Sequence, residues 1–266
     1  GAGNKKKVNH FIGNSLSLSL LVGVFLVVLS HIISTPLLRV LNTPNDIIEM
    51  SSSYVTITYF GIPFSMLFNN LTGISRAVGD SKTPLMFLAV SSFTNLALDV
   101  VFVKFFHWGV EGAAAATVIA QAFSVVLLAV YMRQVTKVIK VKSADFKIDI
   151  KTAVSLIKIG VPLSLQFTIT AIGSMALQGA VNSFGSNVVA AFTAANKVEN
   201  LANIPLSGLG VSLCTFISQN YGAENYQKIR VTFRKILVLD IAISAISTVF
   251  LLSCGEWGVS LFMNEY

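Results

Sequence analysis

Gly1-Ala2-Gly3-Asn4-Lys5-Lys6-Lys7 opens the chain, and Gly222-Ala223-Glu224-Asn225-Tyr226-Gln227-Lys228 repeats its pattern 221 positions later, each copy leading into a long apolar run. Four of the seven positions are identical, and Val8/Ile229, Leu16/Leu237 and Leu18/Leu239 continue in the same register. Recurrence at a fixed long period is the signature of a duplicated architecture. With no initiator Met, the expectation is a piece of a longer two-repeat protein.

The apolar runs decide the class. Of 266 residues, 54% are hydrophobic and 12% charged, against about 25% charged in a soluble domain. No Asp, Glu, Lys or Arg stands between Glu49 and Arg76, or between Lys158 and Lys197. A hydrocarbon core of about 30 Å needs about 20 such residues in a helix, so the fold class is an all-α integral membrane protein. Seven spans are predicted, at about 11–34, 50–72, 84–106, 109–132, 153–181, 187–219 and 234–254. The fifth and sixth form a hairpin turning at Asn182-Ser183-Phe184-Gly185-Ser186-Asn187, and Pro205 predicts a kink or tilt in the sixth.

Basic residues set the orientation. The first tag, the loop around Arg76 and Lys82, the stretch Arg133–Lys158 and the segment Lys228–Lys235 hold 16 of the 19 Lys and Arg. Even numbers of spans separate these regions, which puts all of them on the cytoplasmic face. The net charge of +7 therefore reads as topology. Aromatic residues are not interleaved with the basic ones as nucleic-acid stacking requires, so no nucleic-acid partner is expected; the partners are membrane lipid and small organic molecules.

Six spans separate the two tags, so the repeats have parallel topology, related by an axis along the membrane normal. The expected organisation is an amino-terminal lobe at 1–134, a cytoplasmic linker at 135–152 and a carboxy-terminal lobe at 153–266. Two periods of 221 residues would make a protein near 442 residues, with two spans before Gly1 and three after Tyr266.

Ionisable groups inside a span cost about 2.5–3.5 kcal/mol on insertion scales and mark candidate sites. Asp99 follows Asn95 by one turn on the same face, and the next span brings Thr117 within the small-residue run Gly112–Thr117. Carboxylate, amide and hydroxyl oxygens there would suit a hard monovalent cation, or a desolvated carboxyl would carry a proton; the alternative is an interfacial pair of Asp99 with Lys104. Lys197 and Glu199, with Asn196, Asn200 and Asn203 nearby, are two apart and point to different helix faces, so each meets a cavity, another helix or the outer interface. Gln121, Gln166, Gln178 and Asn69-Asn70 either line a cavity or join helices. Asp240 faces headgroups or interior equally well. Cys214 and Cys254 read as small core residues, and the three His form no cluster. Nucleophile-elbow, zinc-helix and phosphate-loop motifs are absent from the sequence, so no enzyme and no cofactor is expected.

Four segments together carry a resemblance: Thr72-Gly73-Ile74-Ser75-Arg76-Ala77-Val78-Gly79-Asp80-Ser81-Lys82-Thr83-Pro84; Gly109-Val110-Glu111-Gly112-Ala113-Ala114 leading to Ala120-Gln121; Gly160-Val161-Pro162; and Gln219-Asn220-Tyr221-Gly222-Ala223. In this order and spacing the chain resembles the multidrug and toxic compound extrusion (MATE) family, spanning the third to ninth of its twelve spans. The resemblance implies a plasma-membrane antiporter, monomeric at full length, that exports organic and often cationic compounds against protons or sodium by alternating access. It also implies a cation-coupling site in which Asn95, Asp99 and Thr117 match three family positions; the fourth, a first-span Asp, lies before Gly1. Thr170 stands where some members carry a Glu, which puts a carboxy-lobe coupling site in doubt. Two rivals remain at this stage. A lipid-linked oligosaccharide flippase should show several interior cations where only Lys197 stands, and a seven-span receptor does not account for the recurring tag.

Overall fold

The computed structural model describes residues 5–40, 48–135 and 142–263; Gly1–Asn4 of the first tag and residues 136–141 of the expected linker lie outside them. Helices account for nearly all of it: α1 (Lys5–Val40), α2 (Ile48–Tyr59), α3 (Ile62–Ala77), α4 (Lys82–Asp99), α5 (Gly109–Val135), α6 (Ile150–Asn182), α7 (Ser186–Gly222) and α8 (Tyr226–Met263). Six stretches are long and apolar enough to cross a membrane, within α1, α4 with its extension, α5, α6, α7 and α8. The protein is an integral, multi-pass membrane protein.

The span predicted at 50–72 is not one helix. It breaks at Phe60–Gly61 into α2 and α3, where the Phe60 and Gly61 N–H groups fall back on the carbonyls three residues earlier, at 3.0 and 2.9 Å. Pro63 explains the break: it has no N–H for the Tyr59 carbonyl four residues before it. The span predicted at 84–106 is also modified. α4 ends at Asp99 and continues as a π-helical turn, Val100–Phe105, closed by the Phe106 N–H on the Val101 carbonyl at 3.0 Å.

The chain divides into two compact units within α6, between Ile157 and Lys158. In the first, α5 packs against α2, α3 and α4, and α1 packs against α2 and α3. Its small residues permit that: Ala114, Ala116 and Ala120 are fully buried, and no larger side chain would allow the backbones so close. Leu71, Leu128 and Met132 form the apolar centre, with Leu16, Phe68 and Phe87 against it. Between α1 and α3, Asn70 accepts a hydrogen bond from Ser15 and donates one to Ser19, at 3.1 and 2.9 Å. That assigns Asn70 to helix pairing.

The segment before α6 is clasped to α1. A short 3-10 turn, Ser143–Phe146, lies on α1, and Asn14, 1% exposed, holds both ends of the contact. Its Nδ2 donates to the Asp145 carbonyl at 3.3 Å and its Oδ1 accepts from the Asp149 N–H at 2.6 Å. Ser17 donates to the Phe146 carbonyl at 2.8 Å. Gly13 permits the approach, since a Cβ there would strike the Asp145 backbone.

In the second unit, α7 packs against α8. The predicted hairpin turn is present, with α6 ending at Asn182 and α7 starting at Ser186. The second tag is the turn into α8, where Asn225 Oδ1 accepts the Lys228 N–H at 3.3 Å as a helix cap. Cys214, expected in a core, is exposed, because its face of α7 has no neighbouring helix among the described residues.

Candidate functional site

The predicted oxygen cluster assembles in the first unit. Asn95 on α4 donates from Nδ2 to Thr117 Oγ1 on α5 at 3.4 Å, and Thr117 returns its proton to the Ala113 carbonyl at 3.0 Å. Ser91, one turn before Asn95, donates to the Ala120 carbonyl at 2.7 Å and pins the two helices together. Asp99 lies one turn after Asn95, and its Oδ1 is buried with no hydrogen-bond donor among the described residues. No ion pair joins it to Lys104, so the interfacial pairing considered from sequence is not the arrangement found. A buried carboxylate oxygen without a donor is costly, and it sits at the first residue before the π turn, a helix irregularity frequent at functional sites. The donor set is three oxygens of hard type, and it fits a small cation or a proton on Asp99.

The second predicted group does not come together as one site. Lys197 lines an open groove of about 650 Å³ along α7 with Asn200, Leu201, Asn203, Ile204 and Ser207. Glu199, Asn196, Gln166 and Gln178 do not line it. Glu199 lies two residues from Lys197 and is exposed, Asn196 is half-buried, Gln166 is exposed on α6, and Gln178 is half-buried. Asp240 on α8 has a buried Oδ1 with no donor among the described residues, which sequence left between headgroup and interior. Thr170 hydrogen-bonds back along its own helix to the Gln166 carbonyl at 3.0 Å. No group of three or more His, Cys, Asp and Glu residues that could hold a metal ion occurs among the described residues.

Two carboxylates outside the spans stabilise turns. Burial disfavours the charge of Asp80, but hydrogen bonds from the Thr83 N–H and hydroxyl, then from Tyr131 and the Lys82 N–H, outweigh it and hold the carboxyl below its ordinary 3.8. Asp149 is lowered by the Thr152 hydroxyl first and the Thr152 N–H second, with His10 a minor contributor across 3.8 Å.

A multi-span helical bundle with a desolvated carboxylate and converging oxygens in its interior defines the class of ion-linked membrane carriers. The MatE family model matches residues 1–101 and 162–265, and the chain belongs to that family, whose members are transporters and not enzymes. It is 30% identical to the probable multidrug resistance protein YoeA of Bacillus subtilis over its whole length, covering 59% of that protein. It is 29% identical to the probable multidrug resistance protein YpnP of the same organism, across 88% of this chain and 52% of that one. A crystal structure of MATE in the bent conformation superposes on 99% of the chain with a TM-score of 0.90 at 24% identity, the chain covering 59% of it. The chain thus spans less than two thirds of the length of these relatives.

Proposed function

We propose that the protein carrying this chain is a secondary antiporter that exports organic, often cationic compounds in exchange for protons or sodium ions. Its two lobes, 1–134 and 153–266 around a cytoplasmic linker at 135–152, would alternate access across the plasma membrane, with the basic loops inside. The names of YoeA and YpnP support the substrate class. The observation that carries the coupling is the desolvated Asp99 oxygen beside the Asn95–Thr117 hydrogen bond.

Protonation or cation binding removes the uncompensated charge of Asp99 and so changes the relative stability of the two packings of the first lobe. A potential of 100 mV supplies about 2.3 kcal/mol per charge moved, enough for accumulation of up to about fiftyfold per ion. The test is export of dye cations from cells making the complete gene product with Asp99→Asn, under proton and sodium gradients imposed separately. Gradient-coupled export should disappear. Undiminished coupling would overturn the assignment, and the gradient that drives the unaltered protein identifies the ion.

A further inference from the structure

The break in the second span lies against another unsatisfied oxygen. Gln121 sits on α5 one turn past Thr117, roughly 6 Å along the axis toward the Arg133 end and on the same face. Its Oε1 is buried with no hydrogen-bond donor among the described residues. That oxygen lies directly against the place a Cβ of residue 61 would occupy, and the Thr58 carbonyl lies 3.0 Å from the same point. Pro63 meanwhile deprives the Tyr59 carbonyl of its helical donor. A glycine at a helix break thus opens a small space toward which acceptors turn, with no protein donor to satisfy Gln121. Non-helical backbone at membrane depth persists where it is buried in protein or lines a polar passage.

We propose that Gln121 and the opened backbone at Thr58–Gly61 form a second station for an oxygen-coordinated monovalent cation, sodium or hydronium, one helical turn beyond Asp99. This rests on the reading of Asp99 as the coupling site and extends it to a route along α5. A cation released from Asp99 would exchange into the Gln121 station, where carbonyl-type oxygens replace part of its hydration shell and no full countercharge traps it. Gly61 is then required because a side chain would fill the station.

The experiment uses the complete protein, purified in detergent, with melting temperature followed during titration with sodium chloride against choline chloride, and separately during stepwise acidification. The readout is the cation-dependent increment, not the melting temperature itself. Gln121→Met keeps the shape and removes the oxygen; it should raise the half-saturating cation concentration about tenfold, as loss of a charge-assisted contact does. Gln121→Glu keeps the shape and adds charge, and should lower that concentration. A response to sodium alone names sodium, and a response to acid alone names the proton. If Gln121→Met lowers the melting temperature equally with and without cation, Gln121 is a helix-pairing amide and the proposal is wrong. Should Gln121→Met not accumulate in membranes, Gln121→Glu decides, since an unchanged increment there also overturns the station. Loss of coupling in Asp99→Asn with no effect of either Gln121 variant sinks this inference alone, whereas undiminished coupling in Asp99→Asn sinks the reading beneath it.

Discussion

α5 and α8 are equally apolar, with mean hydropathy of 2.2 and 2.3 over their best windows, yet 28% of the α5 window is buried and none of the α8 window is. α5 has α2, α3 and α4 around it, whereas α8 has only α7. Hydropathy therefore decides that both helices enter the bilayer, where lipid tails are as apolar as leucine and exposure costs little. Neighbours decide which faces pack. In the first unit those neighbours bring polar groups into register, at Ser91 with Ala120, Asn95 with Thr117, and Asn70 with Ser15 and Ser19. Along α6 and α7 in the second unit, Ser and Thr hydroxyls mostly bond back to their own helix, as Thr168, Thr170, Ser174 and Ser212 do.

That contrast can be broken by substitution. The largest change expected in stability is Asn14→Ala, which strands the buried Asp149 N–H and Asp145 carbonyl and should cost about 2–4 kcal/mol. Thermal melting in detergent measures it, and hydrogen exchange should rise at residues 143–149 while α7 and α8 are unaffected. Gly13→Ala comes next, at about 1–3 kcal/mol of overpacking, because the new Cβ meets the Asp145 backbone. Gly210→Ala makes the same chemical change on α7, where a Cβ meets nothing within 4 Å. It should act with opposite sign, raising stability by up to about 1 kcal/mol through helix propensity; equal destabilisation by the two would erase the distinction between the units.

The smallest effect is on acid sensitivity. Asp80 has its folded-state pKa lowered from 3.8, so its contribution is present above 3.8 and is lost as pH falls through the depressed value. Asp80→Asn should flatten the decline of melting temperature below about pH 4, and an unchanged slope would refute the Thr83 cap as its cause. Asp149 has the same sign, and His10→Ala should weaken it slightly.

Much of this was legible in the residues. Charge-free runs locate the spans because the bilayer penalises every unpaired charge, and the Asn95, Asp99 and Thr117 spacing locates the oxygen cluster because helical geometry places a turn's neighbours on one face. The break at Gly61 was not read, although Pro63 signalled it, because hydropathy counts side chains and is blind to a missing backbone donor. Nor was the clasp at Asn14, whose partners are 131 and 135 residues away. Lys197 and Glu199 attracted attention as charges within a span, yet only Lys197 lines the groove.

The sequence by itself determined that this is a multi-pass helical membrane protein of the MatE family, and which carboxylate stands in its interior. Those follow from local costs, of charge in hydrocarbon and of unpaired backbone, which each segment meets alone. Tertiary structure alone decided that Asn95 meets Thr117, that Asp99 and Gln121 keep oxygens without donors, and that the segment before α6 belongs with α1. Such contacts depend on distances between helices, which small residues at Gly13, Gly61 and Ala114–Ala120 permit and no single segment specifies.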